Sequence, residues 1–174
     1  MTKQVELRRH TDADGDALSD DGVRAALDIA VGLDSDYELC VSSGAQRATQ
    51  TIACLLAGLG QPVPGGVVVD DRFRSAVEDR WKAAYETAGS GDLRSLEQAD
   101  PELVGQETSA LGDALRAVFE RLTPEARGLV VGHSPMQEAA VYGLTGTIVE
   151  PLSKGAGVLV TELNEGTYRV DLLP

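Results

Sequence analysis

Basic charge, histidine, cysteine and aromatic side chains are all scarce in this chain of 174 residues. Fifteen Lys and Arg stand against 28 Asp and Glu, a net charge of -13. With no run of Lys or Arg, the counterion release that drives non-specific nucleic-acid binding is missing, and an anionic membrane surface repels the chain. Nucleic acid and membrane are therefore excluded as partners. The two cysteines, Cys40 and Cys54, are too few for a disulfide framework and lack the close spacing of zinc or thiol-redox motifs. Their apolar neighbours mark them as buried, reduced thiols. No run of about 18 apolar residues occurs, and residues 1–5 offer no signal-peptide core. These absences predict a soluble cytoplasmic protein. What the chain does have is 43% apolar residues, enough for one core without metal or disulfide support, and a single domain over residues 1–174 is expected.

Strand-like and helix-like periods alternate along the chain, the pattern of an α/β domain with a mainly parallel sheet. Val5 and Leu7 open a first strand. Ser19 precedes a helix over residues 20–33, with Val23, Leu27, Ala30 and Val31 on one face. A second strand spans residues 37–41. Ala48, Ile52, Leu55, Leu56 and Leu59 then line a helix stopped by Gly60 and Pro62. Residues 67–69 form a third strand. Residues 72–101 mix charges and small residues with Trp81 and Tyr85, and read as irregular helices with a mobile turn at 88–92, inserted as a lid over the sheet edge. Regular structure resumes with a helix over 109–122, a strand over 129–131 and a helix from Pro135 to about Leu144. Strands over 158–163 and 168–172 flank a three-residue hairpin turn, Asn164, Glu165 and Gly166.

Both histidines directly follow apolar strands: His10 after Val5 to Leu7, and His133 after Leu129 to Val131. In open α/β sheets ligands bind at the carboxyl ends of strands, so two strands deliver an imidazole to one edge. A histidine at a strand end is equally what an ordinary exposed loop presents. Arg47 weighs against that plain alternative. Ser43-x-x-Gln46 forms a capping box, which places Arg47 in the first helical turn leaning back toward the strand edge. Ser134, Pro135 and Gln137 repeat the device beside His133, with Pro at the first helical position. Two helix amino termini, Arg9, Arg47 and two imidazoles at one edge make an anion-seeking constellation. The competing role for Arg8, Arg9 and Arg47 is to neutralise Asp12, Asp14 and Asp16 at the surface. The chain has no nucleoside-triphosphate loop, no carboxylate pair spaced beside a histidine for metal, and no Gly-x-Ser-x-Gly elbow. A neutral imidazole is then the available nucleophile, and no metal or other cofactor is called for.

Leu7, Arg8, Arg9, His10 and Thr11 resemble the Leu-x-Arg-His-Gly signature of the histidine phosphatase superfamily, whose members are phosphoglycerate mutase-like. Leu18 to Gly22 is similar to its Leu-Thr-x-x-Gly helix start. Residues 41–51 resemble Ser-Ser-Pro-x-x-Arg-Ala-x-Gln-Thr, and residues 130–135 resemble Val-Gly-His-Asn-Pro. The last motif, with residues 155–159 resembling the Thr-Gly-Ala strand after it, leans toward the small phosphohistidine phosphatases. The resemblance implies a three-layer α/β/α sandwich and a metal-independent phosphatase. In it His10 is the nucleophile, Arg9 and Arg47 clamp phosphate, His133 is the second imidazole, and Thr11 and Ser134 border the substrate. The substrate class implied is a phosphorylated small molecule or a phosphohistidine protein.

Three positions depart from the pattern. Thr11 stands where the family has Gly, putting a β-branched side chain near the phosphate. Gly44 replaces a Pro. Ser75 occupies the place of the general-acid Glu, and Glu78 lies one helical turn on. Glu78 is therefore the candidate proton donor, its alternative being an exposed pair with Lys82 at i, i+4. A phosphorylated imidazole leaves readily once protonated, so the missing acid favours phosphoramidates or activated esters. A mutase-type phosphoryl transfer and a non-catalytic phosphate-binding module remain the alternative functions.

Overall fold

Side-chain alternation along the inner strands sends apolar residues to both faces of a sheet, and each face is covered by helices. The computed structural model describes residues 2–34 and 36–174, so the reading of residues 1–5 lies at Met1 outside the described residues. In chain order the elements are β1 (Lys3–Arg9), a short hairpin of β2 (Ala13–Asp14) and β3 (Ala17–Leu18), α1 (Asp20–Val31), β4 (Leu39–Ser42), α2 (Gln46–Leu59) and β5 (Val67–Val69). A 3-10 turn (Asp71–Phe73), α3 (Glu78–Ala88), α4 (Leu93–Ala99), α5 (Pro101–Arg121), β6 (Arg127–Gly132), α6 (Met136–Thr145), β7 (Gly157–Asn164) and β8 (Thr167–Leu173) follow.

The six-stranded sheet has the order β5-β4-β6-β1-β7-β8. Its first four strands run parallel, and β7 and β8 close the other side antiparallel. Cys40, Leu129 and Val131 pack with Ala30, Ala48, Ile52 and Leu55 of α1 and α2. Leu39, Val41 and Val130, one residue out of phase, face Leu111, Leu115, Ala139 and Ala140 of α5 and α6 with Val5 and Leu7. Helices, sheet and helices thus form the three expected layers.

Helix α1 starts where Ser19 accepts the Gly22 N–H and ends at Gly32, one turn's fraction earlier than the sequence pattern predicts. Helix α2 stops at Gly60, whose left-handed φ of +66° the absence of a Cβ permits. Strand β4 begins at Leu39 and not at Tyr37. Tyr37 instead turns its hydroxyl to Glu6 at 2.8 Å.

Several expectations are corrected. Residues 72–101 contain two regular helices, and Phe73, Trp81, Ala84, Leu93 and Leu96 enter the same core as β1 and β6. Helix α5 begins eight residues before the predicted position 109, because Asp100 accepts the Leu103 N–H and Pro101 occupies the first helical position. That cap was readable in the sequence and was masked by the polar residues after it. The last hairpin turns on two residues, since Asn164 pairs with Thr167. Arg8 does not face the surface aspartates: it is buried and pairs with buried Glu6, which also holds Arg127. Cys40 is buried but Cys54 only partly so, and both are free thiols. Loss of hydration pushes the Cys40 thiol up to about 12, so it stays protonated.

Helices α5 and α6 cross closely at two glycines. A Cβ on Gly143 would lie 1.9 Å from the Thr108 carbonyl oxygen, and one on Gly112 2.6 Å from the Gly143 carbonyl carbon. Backbone on both sides leaves no rotamer to relieve the clash, so Gly143→Ala should destabilise by about 1–3 kcal/mol. Thermal unfolding should register this as a Tm loss of roughly 2–4 °C per kcal/mol. An unchanged Tm would contradict the packing described.

Candidate active site

Strand pairing brings the two histidines together. Arg9 on β1 is in register with Gly132 on β6, and the His10 N–H continues the ladder to the Gly132 carbonyl at 3.0 Å. The next residue on that side is His133. The two rings meet edge to face with centroids 5.3 Å apart, and the residues are 8% and 5% exposed.

Arg47, in the first turn of α2, reaches both rings. Its Nε–H donates to His10 Nε2 and its Nη2 to His133 Nδ1, each at 3.3 Å, while Nη1 donates to Asp16 at 2.9 Å. A guanidinium only donates, so both ring nitrogens it meets must accept. His10 therefore carries its proton on Nδ1, which donates to the Thr11 carbonyl at 2.7 Å, and His133 carries its proton on Nε2, which donates to Ser43 Oγ at 2.8 Å. The His10 lone pair is thereby fixed on Nε2, facing the cation. Burial lowers the proton affinity of both rings, with the charges of Arg47 and Arg9 adding to it, although the Thr11 bond opposes the shift at His10. His133 is brought down to about 3. Both imidazoles are neutral at neutral pH, the state a nitrogen nucleophile requires.

Arg9 donates through Nη1 to the Leu152 carbonyl at 2.9 Å, and its Nε is buried with no partner among the described residues. Arg9, His10, Arg47, His133 and Ser134 form one end of a cavity of about 640 Å³. Its other walls are Glu78, Trp81, Lys82 and Tyr85 from α3, Leu96 from α4, and Met136, Pro151 and Leu152. This volume suits a small organic ligand.

Five of the expected site residues thus converge with Glu78 on one cavity; Thr11 does not. Its hydroxyl donates to the Gly22 carbonyl at 2.8 Å, its N–H is taken by Thr51 Oγ1 at 3.2 Å, and the residue is fully buried. The extra methyl and hydroxyl are buried within the protein, so the Gly-to-Thr departure leaves the cavity clear. Glu78 pairs with Arg74 at 3.1 Å and not with Lys82. Neither capping box forms: α2 and α6 begin after Ala45 and Pro135 without a side-chain cap. Ser43 is drawn off to His133, and Ser134 bonds Glu138. Pro135 precedes the first helical residue and does not occupy it. Ser43, Gln137 and Glu138 support the site as well, a role that no motif in their local sequence announces. A Gln-Glu pair inside the otherwise apolar α6 was the available signal.

Among the described residues no group of three His, Cys, Asp or Glu could hold a metal ion, and no helix is long and apolar enough to cross a membrane. No protein-family model matches the sequence, and no curated protein sequence matches it significantly. Solved structures do match over nearly the whole chain. A phosphoglycerate mutase from Bacillus anthracis str. Sterne has a TM-score of 0.75 at 16% identity, covering 99% of this chain and 92% of its own. A phosphoserine phosphatase from Entamoeba histolytica, in complex with 3-phosphoglyceric acid, gives 0.73 at 12%, covering 99% and 97%. The protein histidine phosphatase SixA, complexed with tungstate, gives 0.61 at 19%, covering 98% and 96%. These are histidine phosphatase superfamily structures, and the chain has their phosphoglycerate mutase-like fold.

The ring environments set a pH response. An unfolded histidine protonates near 6.5 and the folded His133 only near 3, so the unfolded state binds more protons between those values. The stability that His133 contributes is present above pH 6.5 and is lost as pH falls toward 3. Titration by NMR should find His10 below 6.5 and His133 still neutral at pH 5; a midpoint near 6.5 for either ring would contradict the effect of burial and of the neighbouring guanidiniums on it.

Proposed function

We propose that the chain is a histidine phosphatase that hydrolyses a phosphomonoester or phosphoramidate without a metal, through a phosphohistidine on His10. The observation that carries this is one guanidinium, Arg47, bonded to the accepting nitrogens of two neutral imidazoles on the wall of a cavity. A phosphoryl oxygen entering there is a better acceptor for Arg47 than an imidazole, because the bond becomes charge-assisted on both sides. Arg47 then leaves His10, and the freed Nε2 lone pair stands against phosphorus. Attack forms the N–P bond while the bond to the leaving group breaks, its electron pair departing with that group. Arg9, Arg47 and His133 oppose the charge on the remaining oxygens. Water then cleaves the phosphohistidine, returning the neutral ring and inorganic phosphate.

Glu78 is kept as the candidate proton donor on the cavity wall, with the Arg74 pair having to open before the carboxyl can act. Residues 72–101 are read as the lid, since α3 and α4 supply lining residues of the same cavity. The phosphorylated molecules named for the solved structures, and the likeness to a protein histidine phosphatase, support a small phosphate ester or a phosphohistidine side chain as substrate. The cavity volume favours the small molecule. Action in the cytoplasm belongs to the same reading, and two free cysteines fit a reducing compartment.

Incubation with p-nitrophenyl phosphate or phosphoramidate in EDTA should give turnover and a trapped, acid-labile, base-stable mass increase of one phosphoryl group. His10→Ala should abolish both, and Arg47→Ala should lower kcat by about 100-fold or more. Turnover with no adduct on His10 would overturn the mechanism. No adduct and no turnover across a broad panel of phosphate compounds would instead leave a phosphate-binding module.

A further inference from the structure

Glu138 on α6 takes no part in the nucleophile or its clamps, yet it is buried directly behind the cavity wall, 2% exposed. Its Oε1 lies 2.5 Å from Ser134 Oγ and accepts the Leu152 N–H at 2.8 Å. Its Oε2 is buried with no partner among the described residues. Ser134 itself lines the cavity beside His133. An ionised carboxylate with one oxygen unpaired away from water is costlier than the neutral acid in the same place. Burial accordingly pushes the Glu138 carboxyl up, against the opposing hydrogen bonds from Ser134 and Leu152 and the charge of Arg9 on β1. In the structure the Ser134 hydroxyl donates to Oε1; when it turns into the cavity instead, a protonated carboxyl donates to Ser134 Oγ in its place.

We propose that Ser134 gives the leaving group its proton and that Glu138 replaces it, a relay that fills the place left by the missing general acid. The relay rests on the His10 phosphoryl-transfer assignment. As His10 Nε2 bonds to phosphorus, the ester P–O bond breaks and its electron pair goes to the departing oxygen. That oxygen takes the Ser134 proton, and Ser134 takes the one Glu138 held. Glu138 is left as a carboxylate under the field of Arg9. When water attacks the phosphohistidine, the P–N electron pair returns to the imidazole, and the proton released by water passes back through Ser134 to Glu138. Glu138 acts through Ser134 and does not touch substrate. Glu78 is the rival donor, but its side chain is 49% exposed and held by Arg74.

The test measures kcat/KM on a series of esters whose leaving groups differ in basicity, from p-nitrophenyl to phenyl to alkyl phosphate. Nitrophenolate departs without a proton and an alkoxide does not. Ser134→Ala and Glu138→Gln should therefore lose about 100-fold more on the alkyl ester than on the nitrophenyl ester, and Ser134→Thr should recover most of the difference. Equal losses along the series, or a leaving-group-dependent loss in Glu78→Gln in place of Glu138→Gln, would overturn the relay alone. Should Glu138→Gln fail to fold, the partly buried Ser134 decides by itself through its Ala and Thr variants. A wild-type protein that turns over no ester would overturn the His10 assignment and the relay with it.

Discussion

The site depends on the parallel pairing of β1 with β6. A strand's side chains alternate, so a slip of one residue would move His10 to the opposite face of the sheet and away from His133. The pairing is held from several sides. Val5 and Leu7 are fully buried against the α5–α6 layer, β7 pairs along the other edge of β1, and Gly157 sits where a Cβ would lie 2.6 Å from the Leu7 carbonyl oxygen. At the carboxyl end of these strands Gln137, fully buried, donates from one amide nitrogen to the Arg8 carbonyl at 2.9 Å and the Val130 carbonyl at 3.2 Å. It ties the last rungs of both strands to the helix that follows His133.

The electrostatic design follows from that geometry. On a chain of net charge -13, most guanidiniums meet carboxylates, as Arg8 does inside the fold and Arg24, Arg72 and Arg169 do on its surface. Among the described residues Arg9 has no carboxylate partner and points its Nη1 to a backbone carbonyl, and Arg47 gives two of its three hydrogen-bonding nitrogens to imidazoles. Although the third nitrogen of Arg47 pairs with Asp16, the donors that Arg9 and Arg47 turn to a carbonyl and to neutral rings are held by weak acceptors and keep their attraction for an anion. The acidic remainder of the surface confines that attraction to one cavity.

Much of this was legible in the sequence, because it rests on periodicity and on strand-end positions. Leu129 to Val131 and Val67 to Val69 read as strands, and His10, Arg47 and His133 could be placed at one edge by topology alone. What escaped was set by contacts between distant segments. Ser43 and Ser134 look like helix caps locally, but tertiary partners at His133 and Glu138 compete for their hydroxyls and win. Thr11 reads as an obstruction to phosphate until its rotamer is seen to point at Gly22 and Thr51. Residues 72–101 look irregular because the apolar positions that join them to the core, Phe73, Trp81, Leu93 and Leu96, are spread thinly among charges.

The central claim is that His10, His133 and Arg47 act on one tetrahedral oxyanion together. Tungstate, the ion in the SixA complex, can stand in for phosphate in a titration of 15N-histidine-labelled protein followed by NMR. The account predicts that both imidazoles respond along a single saturation curve, and that Arg47→Ala weakens the response of both in parallel. Two rings reporting different affinities, or one ring that does not respond at all, would contradict it.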